Sequence, residues 1–155
     1  MKIKLINIYS FPVRANTDWL ILEIVSENNI KGYSELTMSN YYKRDELISI
    51  TKKLIKKLSN DDIENDNQVK EILEKNKEDS LTFNTSISGI RSACSDIFSK
   101  IKKIPMNIYL AGMNKRKISD SVELYANINR SLLPNNDGPV AVSYTHLTLP
   151  TSDLV

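Results

Sequence analysis

The sequence is poor in the residues from which catalytic centres are most often built. It holds one histidine, one cysteine and one tryptophan in 155 residues, with four glycines. A single cysteine, Cys94, excludes an internal disulfide and fits a reducing compartment. No apolar run approaches the roughly 18 residues of a membrane span, and Met1–Leu5 does not lead into a signal-peptide core. Charge of one sign is missing too: 21 basic and 19 acidic residues leave +2, and the two signs are mixed. The densest run, Lys52, Lys53, Lys56 and Lys57, falls on a helical period and reads as a solvated face, not a nucleic-acid or membrane patch. A soluble cytoplasmic protein is the expectation.

A further absence is local. Residues 1–139 contain 16 Lys, 19 Ile and 16 Asn, whereas the 16 residues from Val140 onward contain none of them. At uniform composition such a gap arises in roughly 1 case in 1,500. The stretch from Val140 is therefore expected to be foreign to what precedes it. The sole histidine, His146, lies inside it with nothing nearby at metal-ligand spacing, and is set aside as a base or ligand.

What is present is a clear succession of periods. Met1–Val13 alternates, with Ile3, Leu5, Asn7, Tyr9 and Phe11 on one side, and reads as a strand stopped at Pro12. Residues 14–18 form a polar loop. Trp19–Ser26, "WLILEIVS", is an apolar strand that turns back through Glu27-Asn28-Asn29 into Ile30–Leu36, "IKGYSEL". Helical periods follow. Leu47, Ile50, Leu54, Ile55 and Leu58 share one face. A shorter amphipathic stretch covers Ile63–Leu73, entered through Asp61-Asp62. Phe83, Ile87, Ile90, Cys94, Ile97, Ile101 and Ile104 then step by four and three as a continuous stripe that Pro105 ends. "NIYLAG" reads as a helical turn with Gly112 as its C-cap. "VELYANINR", Val122–Arg130, alternates like a strand. Three antiparallel strands followed by a helical bundle make an α+β domain.

Cys94 on the third stripe is expected to be buried and structural. Asp96 beside that stripe and Glu35 at the end of a strand are expected to serve packing or capping bonds, not acid–base work.

Three stretches, in order, resemble the N-terminal capping domain of the enolase superfamily, in its mandelate racemase and muconate-lactonising enzyme branch. "KGYSEL" (Lys31–Leu36) is similar to that family's Gly-aromatic-Gly-Glu segment, with Ser34 where glycine is common. "ISGIRSACSDIFSKIKKIPMNIYLAG" (Ile87–Gly112) resembles its last capping helix, with Ala-x-x-Asp-Ile before Pro and a Leu-x-Gly turn. "LYANIN" (Leu124–Asn129) resembles the first strand of its barrel. The resemblance covers residues 1 to about 133.

It implies a capping domain over residues 1–120, a linker and first barrel strand over 121–139, and a non-native tail over 140–155. "VSYTHLTLPT" resembles the translated adapter read-through found at the ends of unrelated metagenomic sequences. In the resembled family the capping domain closes over a barrel that holds Mg²⁺ and the bases that abstract a proton beside a substrate carboxylate. The implied parent is a homo-oligomeric, Mg²⁺-dependent enzyme acting on a small carboxylic acid: first a sugar-acid dehydratase, otherwise a racemase, epimerase or cycloisomerase. The chain itself is then expected to carry no catalytic residue, no metal ligand and no cofactor. A free-standing α+β binding or dimerisation module is the reading from a different class.

Two loops carry the candidate contacts. Asn16, Asp18 and Trp19 join the first two strands, and Tyr41 and Tyr42 follow the third. The resemblance places both over the barrel mouth as a lid, and amides and aromatics are apt walls for a small polar acid. Without it, these are expected to be ordinary loop residues, with Trp19 and Tyr41 packed into the core. Asn127 and Asn129, on one face of the barrel strand, complete the candidate set.

Overall fold

The computed structural model describes residues 1–14, 17–36, 43–59, 61–75, 80–118 and 121. The chain divides into two compact units, Met1–Ile118 and Ser119–Val155. Leu124–Asn129 and the stretch from Val140 lie outside the described residues.

The most apolar strand of the sequence becomes the middle of the sheet. β1 (Ile3–Arg14), β2 (Thr17–Ser26) and β3 (Lys31–Glu35) form an antiparallel sheet in the order β1-β2-β3. On β2, Leu20, Leu22 and Ile24 point to one face and are 0–4% exposed. Asn29 closes the β2–β3 turn at φ 59, a left-handed conformation that asparagine tolerates better than most residues.

β1 departs from its sequence pattern twice. A register shift between Ile3 and Leu5 moves the strand by one face, so Ile3 joins Ile6 and Ile8 against the core while Leu5, Tyr9 and Phe11 stay on the other side. Simple alternation had grouped Ile3 with Leu5. Pro12 does not stop the strand either. It pairs with Asp18, next to a second register shift, and the strand runs on to Arg14. β1 is an outer strand, where a residue without an N–H need not cost a ladder bond.

Four helices cover the core face: α1 (Arg44–Leu58), α2 (Asp66–Glu74), α3 (Leu81–Ile101) and α4 (Met106–Met113). α3 is the central one, packing on β2 and β3 and meeting each of the other three helices. Its stripe is buried from Phe83 to Ile97. The stripe outruns the helix, however: Lys102 caps it, Lys103 turns at φ 54, and Ile101 is 43% exposed. α2 starts later than its acidic pair suggests. Asn65 caps it by accepting from the Gln68 N–H at 3.1 Å. Asp62 instead holds the N-terminal ammonium at 2.7 Å. The "NIYLAG" turn is a full helix in which Gly112 is interior; Asn114 is the cap, and Lys115 takes the positive φ of 51.

Small residues set the closest approaches. A methyl group on Gly32 would overlap the carbonyl oxygen of Ala93 and stand 2.6 Å from Cγ1 of Ile97, so β3 can lie on α3 only as glycine there. Thr51 on α1 donates to Ser86 on α3 at 2.9 Å, satisfying two hydroxyls in an apolar seam. Asp66 is buried at the start of α2 and accepts from Ser95 of α3 and Tyr109 of α4, joining three helices through one carboxylate.

Candidate functional site

In an antiparallel meander the end of β1, the start of β2 and the end of β3 fall at the same end of the sheet. The connection 15–16 and the stretch 37–42 both leave from this end, and α1 returns to it at Lys43 and Arg44. Asn16, Tyr41 and Tyr42 belong to these two connections and, with Asn127 and Asn129, lie outside the described residues.

Asp18 and Trp19 are described, and their settings differ. The Asp18 carboxylate is 10% exposed and accepts from Arg44 Nη1 at 2.7 Å and from Ser10 Oγ at 2.8 Å. It is committed to tying β1, β2 and the first turn of α1 together. Charge-assisted bonds of this length are among the stronger contacts a fold makes. Trp19 pairs with Phe11 across the strands and is 56% exposed, so it is not a core residue. Glu35, paired with Ile21 at the same end, borders an open cleft of about 270 Å³ with Asn84, Thr85, Ser88 and Gly89.

At this end of the sheet the aromatic side chain of Trp19 stands open to solvent. Among the described residues no group of three or more His, Cys, Asp or Glu is placed to hold a metal ion. Among them, too, no helix is long and apolar enough to cross a membrane.

Cys94 is fully buried, and burial pushes its thiol up to about 12, which removes it as a nucleophile. Asp96 proves to be a cap on a strand edge. Its carboxylate accepts from the Tyr33 N–H at 3.0 Å and from Lys100 Nζ at 2.7 Å, and the same ammonium donates to the Lys31 carbonyl at 2.7 Å. One ion pair on α3 thus closes outward-facing backbone groups of β3.

A second cluster escaped the sequence reading. Glu23, on the sheet face away from the helices, is 3% exposed and gathers four donors. Oε1 accepts from Asn7 at 2.8 Å and Tyr9 at 3.2 Å; Oε2 accepts from Tyr33 at 2.7 Å and Lys31 at 3.1 Å. The Tyr33 and Asn7 bonds, with help from Lys31 and against the cost of burial, lower its carboxyl to about 2. The sequence did hold a sign of it, since Glu23 is the lone charge inside "LILEIV". A charge in such a run needs partners on the neighbouring strands.

No family model and no curated protein matches the chain. Solved structures do. An enolase from environmental shotgun sequencing of the Sargasso Sea superposes with a TM-score of 0.58 at 22% identity, over 68% of this chain and 30% of that one. A mandelate racemase/muconate lactonizing enzyme-like protein from Roseovarius sp. TM1035 gives 0.53 at 17%, over 66% and 28%. A mandelate racemase/muconate lactonizing enzyme from Sulfitobacter sp. gives 0.52 at 17%, over 66% and 28%. The chain spans about 30% of the length of these structures. Its three-stranded antiparallel sheet followed by four helices has the α+β fold of an enolase-type capping domain.

Proposed function

We propose that this chain is the capping part of an enzyme that acts on a small carboxylic acid, first a sugar-acid dehydratase and otherwise a racemase, epimerase or cycloisomerase. The observation that carries the reading is the shared end of the sheet from which the 15–16 and 37–42 connections leave, in a fold similar to enolase and mandelate racemase-type structures. In this reading Trp19, Tyr41 and Tyr42 wall a small polar ligand, and the Asn16 amide hydrogen-bonds it. Asp18 and Arg44 keep the two loop stems at fixed spacing. Asn127 and Asn129 approach the ligand from the first barrel strand. Closing such a lid excludes water and fixes substrate shape. The Mg²⁺ such an enzyme uses would be held by residues outside Met1–Ile118, in a homo-oligomeric cytoplasmic parent.

Recovering the continuous coding sequence beyond Pro139 tests this directly. An in-frame barrel with carboxylate ligands on successive strands supports it; a stop codon at the same place in independent reads overturns it. In the recovered enzyme, Tyr41→Ala and Trp19→Ala should raise KM or lower kcat, while the 155-residue chain alone turns over no sugar acid with Mg²⁺. A free-standing module remains the second reading, favoured by one observation: the core of Met1–Ile118 is closed by its own side chains, from Leu22 and Ile24 to Ile90 and Ile97.

A further inference from the structure

The sheet is apolar on both faces, and among the described residues the helices cover only one. On the face away from the helices, Leu5, Tyr9, Phe11, Trp19 and Tyr33 are 52%, 42%, 51%, 56% and 45% exposed. They occupy neighbouring open-face positions, since Leu5 pairs with Val25, Tyr9 with Ile21, Phe11 with Trp19 and Tyr33 with Glu23. Scattered apolar residues on a surface need no explanation, but a contiguous group does.

We propose that this face is a two-fold contact between two copies of this chain, packed sheet against sheet with the symmetry axis running across the strands. Three observations carry it. The first is area. A large side chain half exposed offers about 100 Å², so the five present about 500 Å² per copy and about 1,000 Å² in a pair, the lower bound for a specific contact. The second is that the polar centre of the face is already satisfied. Glu23 has a donor on every side, three of them neutral, and its charge is balanced by Lys31, so water can leave without stranding an unpaired group. Lateral growth is meanwhile closed off: Asp96 and Lys100 cap the β3 edge, and Pro12 and two register shifts interrupt β1.

The third observation is charge, which chooses the orientation. Along the open-face positions of β3, Lys31 stands at one end and Glu35 at the other. An axis parallel to the strands would lay β3 over β1 and set Lys31 of one copy against Leu5 of the other, since Leu5, Val25 and Lys31 share one row of the sheet. An axis across them brings the Lys31 end of one copy toward the Glu35 end of its partner. It also lays the Leu5 end of β1 over the Phe11 and Trp19 end of the second copy. Nothing in this depends on the lid reading, because it uses the face of the sheet and not the loops at its end.

The test uses the 155-residue chain and its sole tryptophan, Trp19. Sedimentation over a concentration series should show a reversible monomer–dimer equilibrium, and Trp19 emission should shift to the blue as dimer forms. Leu5→Lys and Phe11→Glu, both at half-exposed positions, should each weaken association by on the order of tenfold or more while leaving circular dichroism and melting close to the parent chain. Mixed together, they should recover a one-to-one heterodimer, because the crossed axis sets the new lysine against the new glutamate. The control Leu110→Lys, on exposed α4, should dimerise as the parent does. A parent chain that stays monomeric at all concentrations overturns the proposal. So do face variants that dimerise unchanged, or variants that stay apart on mixing.

Discussion

Gly32 of β3 and Ala93 of α3 meet so closely that no side chain fits between them: a Cβ on Gly32 would run into the Ala93 carbonyl oxygen and Cγ1 of Ile97. The contact fixes the distance between the sheet and its central helix. Gly32→Ala should therefore cost about 3 kcal/mol, the upper range for overpacking a closed site. Gly112 has nothing within 4 Å of its Cβ position and sits inside α4, so Gly112→Ala should stabilise by about 0.5–1 kcal/mol. Urea denaturation of the two variants should show opposite signs.

Glu23 gives the fold an acid-sensitive point. Its carboxyl titrates at about 2 in the folded chain, below the ordinary 4.5, so its contribution is complete above that ordinary value. That contribution is lost as pH falls toward 2. Melting temperature measured from pH 6 to 2 should drop in this window, and Glu23→Gln should flatten the drop. Tyr33→Phe should flatten it in part, because Tyr33 supplies the largest share of the lowering.

Tyr109 is the only buried residue of α4, and it donates to Asp66. Tyr109→Phe removes one donor from a buried carboxylate and should cost about 1–3 kcal/mol. The loss should be local as well as global. Amide exchange in Met106–Met113 should accelerate more than in α3, whose stripe remains packed.

Asp96→Ala should open the β3 edge by freeing the Tyr33 N–H and loosening Lys100 from the Lys31 carbonyl. Light scattering at neutral pH should register faster aggregation than for the parent chain, as an uncovered strand edge predicts. Lys100→Ala, which leaves the Tyr33–Asp96 bond in place, should aggregate less.

Cys94, buried on α3 with its thiol pushed up to about 12, should react with a thiol reagent only when the fold opens. Its labelling rate should rise with urea along the unfolding transition and, at a fixed urea concentration, rise with pH between 6 and 8 as the thiol of the opened chain ionises.

The elements were legible wherever one period ran long. "WLILEIVS", the lysine-backed stripe of α1 and the four-three stripe from Phe83 each named their own structure, because burial on one side of a strand or helix leaves that trace in order. The resemblance of "KGYSEL" and of Ile87–Gly112 was legible too, and two of their three glycines mark close contacts: Gly32 under Ala93, and Gly89 against Leu36. What stayed hidden depended on partners distant in sequence. The bulge after Ile3 reverses the inward side of β1, and Pro12 is tolerated because of where β1 lies in the sheet. Glu23 draws its donors from β1 and β3, and Asp66 draws its own from α3 and α4. At the candidate site the sequence placed Asp18 in a loop, whereas it lies on β2 paired with Pro12, and its engagement by Arg44 was hidden because 26 residues separate them.

That engagement has a mechanical result. Arg44 and Asp18 rivet the first turn of α1 to the β1–β2 hairpin, so the roots of the two connections cannot drift apart. Under the lid reading proposed above, substitutions in the two connections are then tried one after another on an unchanging frame, and ligand preference is free to change while the scaffold keeps its shape.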